Sequence, residues 1–484
     1  MFKRMTLAAA VTAATLALTG CATVGPEFSA PKNGTEANFR HAPGAASEAR
    51  LPAQWWSVYG DDTLNRLEQG ALRDNPTVKA AAQRLLQAQA QLGVVKSSQG
   101  PAVNVSTGVS NSRTSANTSQ GLALGHRSIH GDNFSVGAAL SYEVDLWGRV
   151  RRLVEASDAQ ALAAEADRDG VLLLLSAQVA ANYWQLRGLD TEIAILNGAL
   201  DTRRESEQLV NARFNAGLSN ELDTSRARIE RANAEADLQE AVRQRNALEH
   251  SLAVLTGASP SSMRLPAAGA PLPQPPAIPV GLPASLLSQR PDLAGSVAAL
   301  RASNAQIGVA EAAFYPSISL TGNFGFASES LGDLTKGGSR QFSIGPLALS
   351  LPVFDSGRND ANLKLAKARY EEALANHEGR LLTALREVED ALSDVRQKQQ
   401  QQQVQAQSRE AATRAYQVAR ARYERGLSTY LDVTDAQRSA LAADRAAAQI
   451  TTQRLLATVA VARALGAGWQ APPALAQAGQ AAVR

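Results

Sequence analysis

Apolar and polar residues alternate with a period of two in four stretches of this chain. From Phe134 the even positions run Phe134, Val136, Ala138, Leu140, Tyr142, Val144 and Leu146, while Ser135, Ser141, Glu143 and Asp145 take odd ones. Val103, Val105, Thr107 and Val109 alternate likewise, as do Ile318, Leu320, Phe324 and Phe326. In the fourth stretch Leu347, Leu349, Leu351 and Val353 carry one parity and Phe342 and Ile344 the other, with Gly345-Pro346 between them. Such alternation predicts strands with one apolar face, and the Gly-Pro step predicts a bulge that shifts the register. At about 12–15 residues each, the strands exceed the ~9–11 that cross a bilayer at a tilt. A sheet exposed to lipid cannot leave edges unpaired, and bacterial barrels begin at about eight strands. Four strands cannot close alone, so several chains must share one barrel, and three would bring twelve. A soluble pair of hairpins packed on helices would satisfy the same alternation.

Between the strands the period changes to 3 and 4. Gly148 to Ala216 contains no proline, and Leu172, Leu175, Val179, Leu186, Leu189, Ile193, Leu196 and Leu200 recur at heptad spacing, with Asn182 filling one slot. Tyr370, Leu374, His377, Leu381, Ala384, Val388, Ala391 and Val395 repeat the pattern. This spacing predicts coiled-coil packing, in rods on the order of 100 Å long at ~1.5 Å per residue. Helices over 75–98 and 219–256, about 36 and 57 Å long, nearly match a rod when stacked end to end. The arrangement they suggest is a double-layered tube. The glutamine-rich stretch 397–407 keeps helical phase and reads as a solvated helix face.

The two halves of the chain carry the same features in the same order. Asn75-Pro76, Gly93-Val94 and Pro101 recur as Arg290-Pro291, Gly308-Val309 and Pro316 at an offset of 215. Leu140-Ser141, Val144 and Gly148-Arg149 recur as Leu349-Ser350, Val353 and Gly357-Arg358 at 209. The stretch Arg213 to Ser219 matches Arg422 to Ser428, and Gly257 matches Gly466, again at 209. The offset changes across the polar stretch Thr114 to Asp132, an exposed loop that tolerates an insertion. Each half reads helix, strand, loop, strand, long helix, tight turn, helix. The expected divisions are 61–257 and 284–466 for the repeats, 258–283 for a Pro-rich linker and 467–484 for a tail.

The tight turns are the candidate site. Gly217 and Gly426 permit left-handed helix caps, and Ser219 and Ser428 can N-cap the returning helices. Leu218 and Leu427 are exposed at the tips. Glu221 and Asp223 follow the first turn, and Asp432 and Asp435 the second, three apart on one helix face. Threefold symmetry would turn an inward carboxylate into a ring that favours cations and constricts a pore. Arg213, Arg422, Arg425 and Tyr430 are near enough to bond across helices and hold such a tip shut. The same carboxylates also suit a solvated helix N-terminus.

The N-terminus reads as an address. Lys3 and Arg4 precede an apolar run from Thr6 to Leu18, of signal-peptide length and too short to span a bilayer. It ends in Leu18-Thr19-Gly20-Cys21, which resembles a bacterial lipobox, and Cys21 is the only cysteine. Residues 1–20 are then a signal and 21–60 a lipidated, extended segment. Ala22, in place of an aspartate, implies sorting to the outer membrane by resemblance to other lipoproteins. A lipidated thiol leaves none for a disulfide, a metal or a nucleophile. After the signal no apolar run reaches helical spanning length.

Composition removes other classes. The 484 residues are 45% hydrophobic but 5% aromatic, which suits close helix packing. The net charge of +3 comes from 48 basic and 45 acidic residues without a basic block, so nucleic acid finds no support. His41, His126, His130, His250 and His377 are scattered; His126, His130 and Asp132 share a polar loop and read as solvated. No phosphate loop, nucleophile elbow or zinc helix is present. The chain therefore reads as no enzyme, with no metal and no cofactor beyond the lipid.

These residues resemble the TolC-like outer-membrane efflux proteins, in the lipoprotein branch grouped with nodulation-type efflux proteins. The resemblance rests on the lipobox at Cys21, Asn75-Pro76, the run Tyr142-Glu143-Val144-Asp145-Leu146-Trp147-Gly148-Arg149, Tyr315-Pro316 and the duplicated Arg-aromatic-x-x-Gly-Leu-Ser turns. It spans nearly the whole mature chain. It implies an α+β membrane protein: a homotrimer with a twelve-stranded barrel in outer-membrane lipid, continued by a twelve-helix periplasmic tunnel. It also implies a periplasmic adaptor docking at the tips (Gly217, Leu218, Ser219, Gly426, Leu427, Ser428) and an inner-membrane pump, proton-driven in the favoured reading. Asp435 in Asp435-Ala436-Gln437-Arg438 matches the family's gate most closely. The expected function is the passive exit duct of a tripartite efflux system that carries small molecules. The alternatives are the outer component of an ATP-driven type I secretion system and a non-porous coiled-coil scaffold lipoprotein.

Overall fold

The fold is taken from a computed structural model that describes residues 23–31, 39–41, 51–267, 271–278 and 289–470. Cys21 and the signal lie outside the described residues, as do parts of the N-terminal segment, the linker and the tail. The chain divides into two compact units: Met1–Ala30, Leu85–Ala164 and Ser296–His377 in one, and Pro31–Arg84, Glu165–Gly295 and Glu378–Arg484 in the other.

The first unit holds the four strands: β1 (Ala102–Arg113), β2 (His130–Val144), β3 (Ser317–Ser328) and β4 (Arg340–Ser350). They pair antiparallel in the order β1-β2-β3-β4. The register gathers the alternating apolar residues onto one face. Val103, Leu140, Gly322 and Ile344 form one cross-strand row, and Val105, Ala138, Phe324 and Phe342 the next. The opposite face carries Asn104, Ala139, Asn323 and Ser343, then Ser106, Gly137, Gly325 and Gln341. The predicted bulge is present. Leu320 faces Leu347 and Gly322 faces Ile344, so the chain around the cis Gly345-Pro346 step absorbs one extra residue. That shift brings the two parities of β4 to the same side.

Among the described residues much of this apolar face is bare: Val105 is 77% exposed and Ile344 87%. Its run from Phe134 to Val144 covers about 33 Å at ~3.3 Å per residue, or about 25 Å once tilted by ~40°, the height of a membrane band. Beyond Phe134 the same face turns polar, with Asn111 donating to Asp132 at 2.7 Å and His130 opposite Arg113. Among the described residues the outer edges of β1 and β4 find no strand partner.

The Trp147-Gly148-Arg149 element turns strand into helix. Asp145 accepts from the backbone of Val150 and Arg151 at 3.1 and 2.9 Å and caps the helix, and Arg149 grips Glu143 with two bonds of 2.8 and 2.6 Å. Gly148 supplies the left-handed φ of 81° that the turn needs, and Trp147 donates to the carbonyl of Pro316 at 2.8 Å. At the start of the second long helix Asp355 accepts from the backbone of Gly357 and Asn359 at 3.0 and 2.9 Å. In this unit the segment from Thr23 to Glu27 is also clamped. Arg152, whose side chain is 3% exposed, donates to the carbonyls of Val24 and Gly25 and to Glu27; a Cβ on Gly25 would run into the Gly308 backbone, and one on Gly308 would meet the Arg152 side chain.

The remaining helices are α1 (Asp62–Asp74), α2 (Pro76–Ser97), the short α3 in the β1–β2 loop (Ser119–Ala123), α4 (Arg149–Asn215), α5 (Glu221–Leu255), α6 (Pro291–Ala312), α7 (Arg358–Glu424) and α8 (Tyr430–Ala464). The long helices α4 and α7 have 67 residues each, about 100 Å. Helix α1 was not among the expected elements; Asp61 caps it by accepting from Thr63 and Leu64. Asn75 then caps α2 through Thr77 and donates to the carbonyl of Leu255 at 2.8 Å. Its repeat counterpart Arg290 donates to the carbonyl of Ala464, the counterpart of Leu255, at 2.9 Å. The duplication thus preserves a bond whose donor has changed.

Among the described residues the second unit has two larger apolar clusters. Trp55, Tyr59, Leu64, Tyr183, Trp184, Leu252 and Leu455 form one; Leu293, Leu381, Val388 and Val461 form the other with Phe39. The expected heptad positions Leu175, Val179, Leu186, Leu196 and Leu200 are buried. The glutamine run is only partly a solvated face: Gln402 and Gln405 turn to α8 and donate to Thr451 and to the carbonyl of Ala443 at 3.3 Å each.

Candidate functional site

Both tips form as the glycines require. Leu218 donates back to the carbonyl of Arg213 at 2.8 Å and Gly217 to Phe214 at 2.9 Å, with φ of 72° at Gly217. Leu427 and Gly426 repeat the bonds to Arg422 and Tyr423, with φ of 76°. This is the double bond of a helix ended by a left-handed residue. It leaves Leu218 77% and Leu427 65% exposed.

The expected serine caps are corrected by one residue. Asn220 caps α5, accepting from the backbone of Asp223 at 3.0 Å, while the Ser219 hydroxyl donates to the Asp223 carboxylate at 3.1 Å. Thr429 begins α8, and its backbone N–H and hydroxyl donate to Asp432 at 3.0 and 2.9 Å. Ser428 is not the cap, and its buried hydroxyl has no partner among the described residues. Serine precedes asparagine or threonine at each turn, and the later residue has the extended backbone that a cap needs.

Of the expected gate groups, the structure joins some and separates others. Arg213 donates to the carbonyl of Glu424 at 2.9 Å and lies 4.5 Å over the Tyr423 ring, linking α4 to α7. Tyr423 packs on Tyr430 at 5.6 Å, within a small core of Val210, Ala227 and Val433. Burial pushes the Tyr430 phenol up to about 12. Arg422 reaches the carbonyl of Leu427 at 3.5 Å and stays within its own turn. Asp432 is committed to its cap, and the bonds from Thr429 hold its carboxyl below the usual range. Asp435 is exposed, with Arg438 4.0 Å away; Glu221 and Arg425 are exposed as well.

A stronger junction lies farther up the helices. Glu230 of α5 is 3% exposed and meets Arg203 of α4 at 3.3 Å through one oxygen and Arg438 of α8 through the other. Arg203 also donates to the Glu230 carbonyl at 2.9 Å. Arg438, the last residue of the run Asp435-Ala436-Gln437-Arg438, is one of the three groups joined there. Arg438 holds three helices together, and its repeat counterpart is Ile229, so the duplication gives no sign of it.

Comparison with known proteins follows the same outline. The profile of the family described as "Outer membrane efflux protein" matches residues 67–258 and 282–467. The Outer membrane protein OprJ of Pseudomonas aeruginosa is 35% identical over 468 residues, covering 95% of this chain and 96% of that protein. The Cation efflux system protein CusC of Escherichia coli is 30% identical, covering 94% and 97%. Among solved structures, the outer-membrane channel OprN superposes with a TM-score of 0.86 at 32% identity, covering 92% of this chain and 99% of that one. The CmeC outer membrane channel of Campylobacter jejuni gives 0.87 at 27%, covering 94% and 97%.

Proposed function

The chain belongs to the outer membrane efflux protein family, and from that premise we propose that it is the exit duct of a tripartite system that expels small molecules. Three copies pool their sheets into one twelve-stranded barrel in the outer membrane, and their helices line the tunnel that feeds it. One observation carries this reading: a membrane-high apolar face on a sheet whose two outer edges lack partners among the described residues. Unpaired edges cannot stand in lipid, so the sheet is complete only with other copies.

The finer assignments follow. Cys21 carries the covalent lipid, and the clamp around Arg152 begins two residues later, seating the anchor beside the strand-to-helix turn. The tips around Leu218 and Leu427 receive a periplasmic adaptor. A groove of about 610 Å³ beside the second tip, lined by Ala415, Val418 and Ala419 and by Arg414, Arg422 and Asp432, extends the surface offered to it. The adaptor connects to an inner-membrane pump, proton-driven in this reading. Arg213, Tyr430 and the Glu230 junction hold the tip closed, and Asp435 supplies the lumen charge. The channel carries no catalytic group; energy comes from the pump.

Planar-bilayer recording tests the gate. Asp432→Ala combined with Asp435→Ala removes one capping and one exposed carboxylate per chain, and single-channel conductance should rise. Unchanged conductance would reduce both residues to helix termini.

A further inference from the structure

The apolar band on the sheet ends differently at its two rims. Towards the helices it stays apolar to the last strand residues on that face, Val103, Val144, Ile318 and Leu349. At the far rim the same face turns basic. Asn111 and Arg113 follow Val109, Asp132 and His130 lie beyond Phe134, and Arg340 lies beyond Phe342. Each stands an even number of residues from the band along its own strand, so pleating keeps it on that face. The acidic groups nearby are engaged elsewhere. Asp132 accepts from Asn111 at 2.7 Å, Glu329 lies beside Gly131 on the opposite parity, and Asp333 pairs with Lys336. Arg113 and Arg340 are exposed. Arg113 donates to the Ser128 hydroxyl at 3.3 Å, and among the described residues no carboxylate pairs with either arginine.

We propose that Arg113, His130 and Arg340 form a basic collar that binds the phosphate groups of outer-leaflet glycolipid. The proposal rests on the shared-barrel reading above, which sets this face in lipid and the helices in the periplasm. The far rim then lies in the outer leaflet. Arg340 follows Phe342 by two residues, about 7 Å along the strand, so its head reaches the level where hydrocarbon gives way to headgroups. The partner within reach of a lipid-facing guanidinium at that depth is a headgroup, and the planar fork matches phosphate oxygens two at a time. His130 adds a donor beside Arg113, its partner in the β1–β2 ladder. Asp132 is the carboxylate on this face of the rim and Asn111 holds it, so the two arginines leave the collar net positive. Because β1 and β4 are the edge strands, each seam brings arginines from two copies within reach of one lipid. The opposite rim, whose lipid-facing strand positions carry no charge, offers no such grip.

Native mass spectrometry of the detergent-solubilised protein with added diphosphoryl lipid A tests the collar. The wild-type trimer should hold this lipid at least about tenfold more tightly than Arg113→Gln/Arg340→Gln, since each cation near an anionic surface is worth a factor of about five. Arg113→Lys/Arg340→Lys should keep most of the binding. Lys336→Gln removes a cation at the same end that Asp333 already neutralises, and it should change nothing. Lipid A stripped of its phosphates should bind all four proteins alike. Equal retention of diphosphoryl lipid A by the glutamine variant overturns the collar, because the apolar face alone would then hold the lipid. An equal loss on Lys336→Gln overturns it as well, in favour of charge at large. The same spectra count chains. Trimers that fail to discriminate defeat the collar alone, whereas a wild-type protein that forms no trimer defeats the shared barrel beneath it.

Discussion

Glu68 is the most exposed weakness in the buried core. It lies on the inner face of α1 with Leu64, Leu67 and Ala71, none of its surface reaches solvent, and neither carboxylate oxygen has a partner among the described residues. Burial pushes its carboxyl from 4.5 up to about 9, so it is held neutral at pH 7. A raised folded value means that stability is intact below about 4.5 and drains away as pH climbs towards 9. At 1.36 kcal/mol per pH unit the loss is about 3 kcal/mol by pH 7 and about 6 by pH 9. Glu68→Gln keeps the shape and removes the titration. Hydrogen exchange of the peptide 62–74 reads the difference, because local opening exposes the group. The wild-type rate divided by that of the variant cancels the intrinsic pH dependence of exchange. That ratio should rise close to tenfold per pH unit between pH 6 and 8 and level off near 9. A ratio flat across that range would show that Glu68 already has a partner or water, and the reasoning from burial would fail.

Other expectations concern the junctions. Arg213→Ala removes a charge-assisted bond and a ring contact, together about 2 kcal/mol per chain, and should raise open probability in bilayer recordings without changing trimer yield. Glu230→Ala strands the buried Arg203 and should cost about 3–5 kcal/mol, seen as faster exchange over α5; Glu230→Gln should recover part of it. Arg152→Ala frees the Thr23–Glu27 clamp, and limited proteolysis should cut the N-terminal segment while leaving the sheet intact.

The membrane made most of this fold legible. Lipid on one face and a polar interior on the other impose strict alternation, so the four strands, their faces and the bulge at Gly345-Pro346 could be read directly. Glycine at Gly217 and Gly426 marked the tips for a similar reason, since little else adopts that backbone cheaply. The caps were misread by one residue because Ser219-Asn220 and Ser428-Thr429 each offer two competent side chains, and only the backbone angle decides. Helix α1 escaped because Asn75-Pro76 looked like a beginning, although it joins two helices. The Glu230–Arg203–Arg438 junction and the Arg152 clamp unite residues 27 to more than 200 positions apart. No local period encodes such meetings, and the repeat breaks at both.

The central claim is that one chain holds too few strands to close and must share its barrel with two others. Native mass spectrometry of the lipidated protein in mild detergent tests it most directly. The account predicts a single species of three chains, persisting until the sheet itself unfolds. A stable monomer that retains its strand content in the same detergent would contradict it.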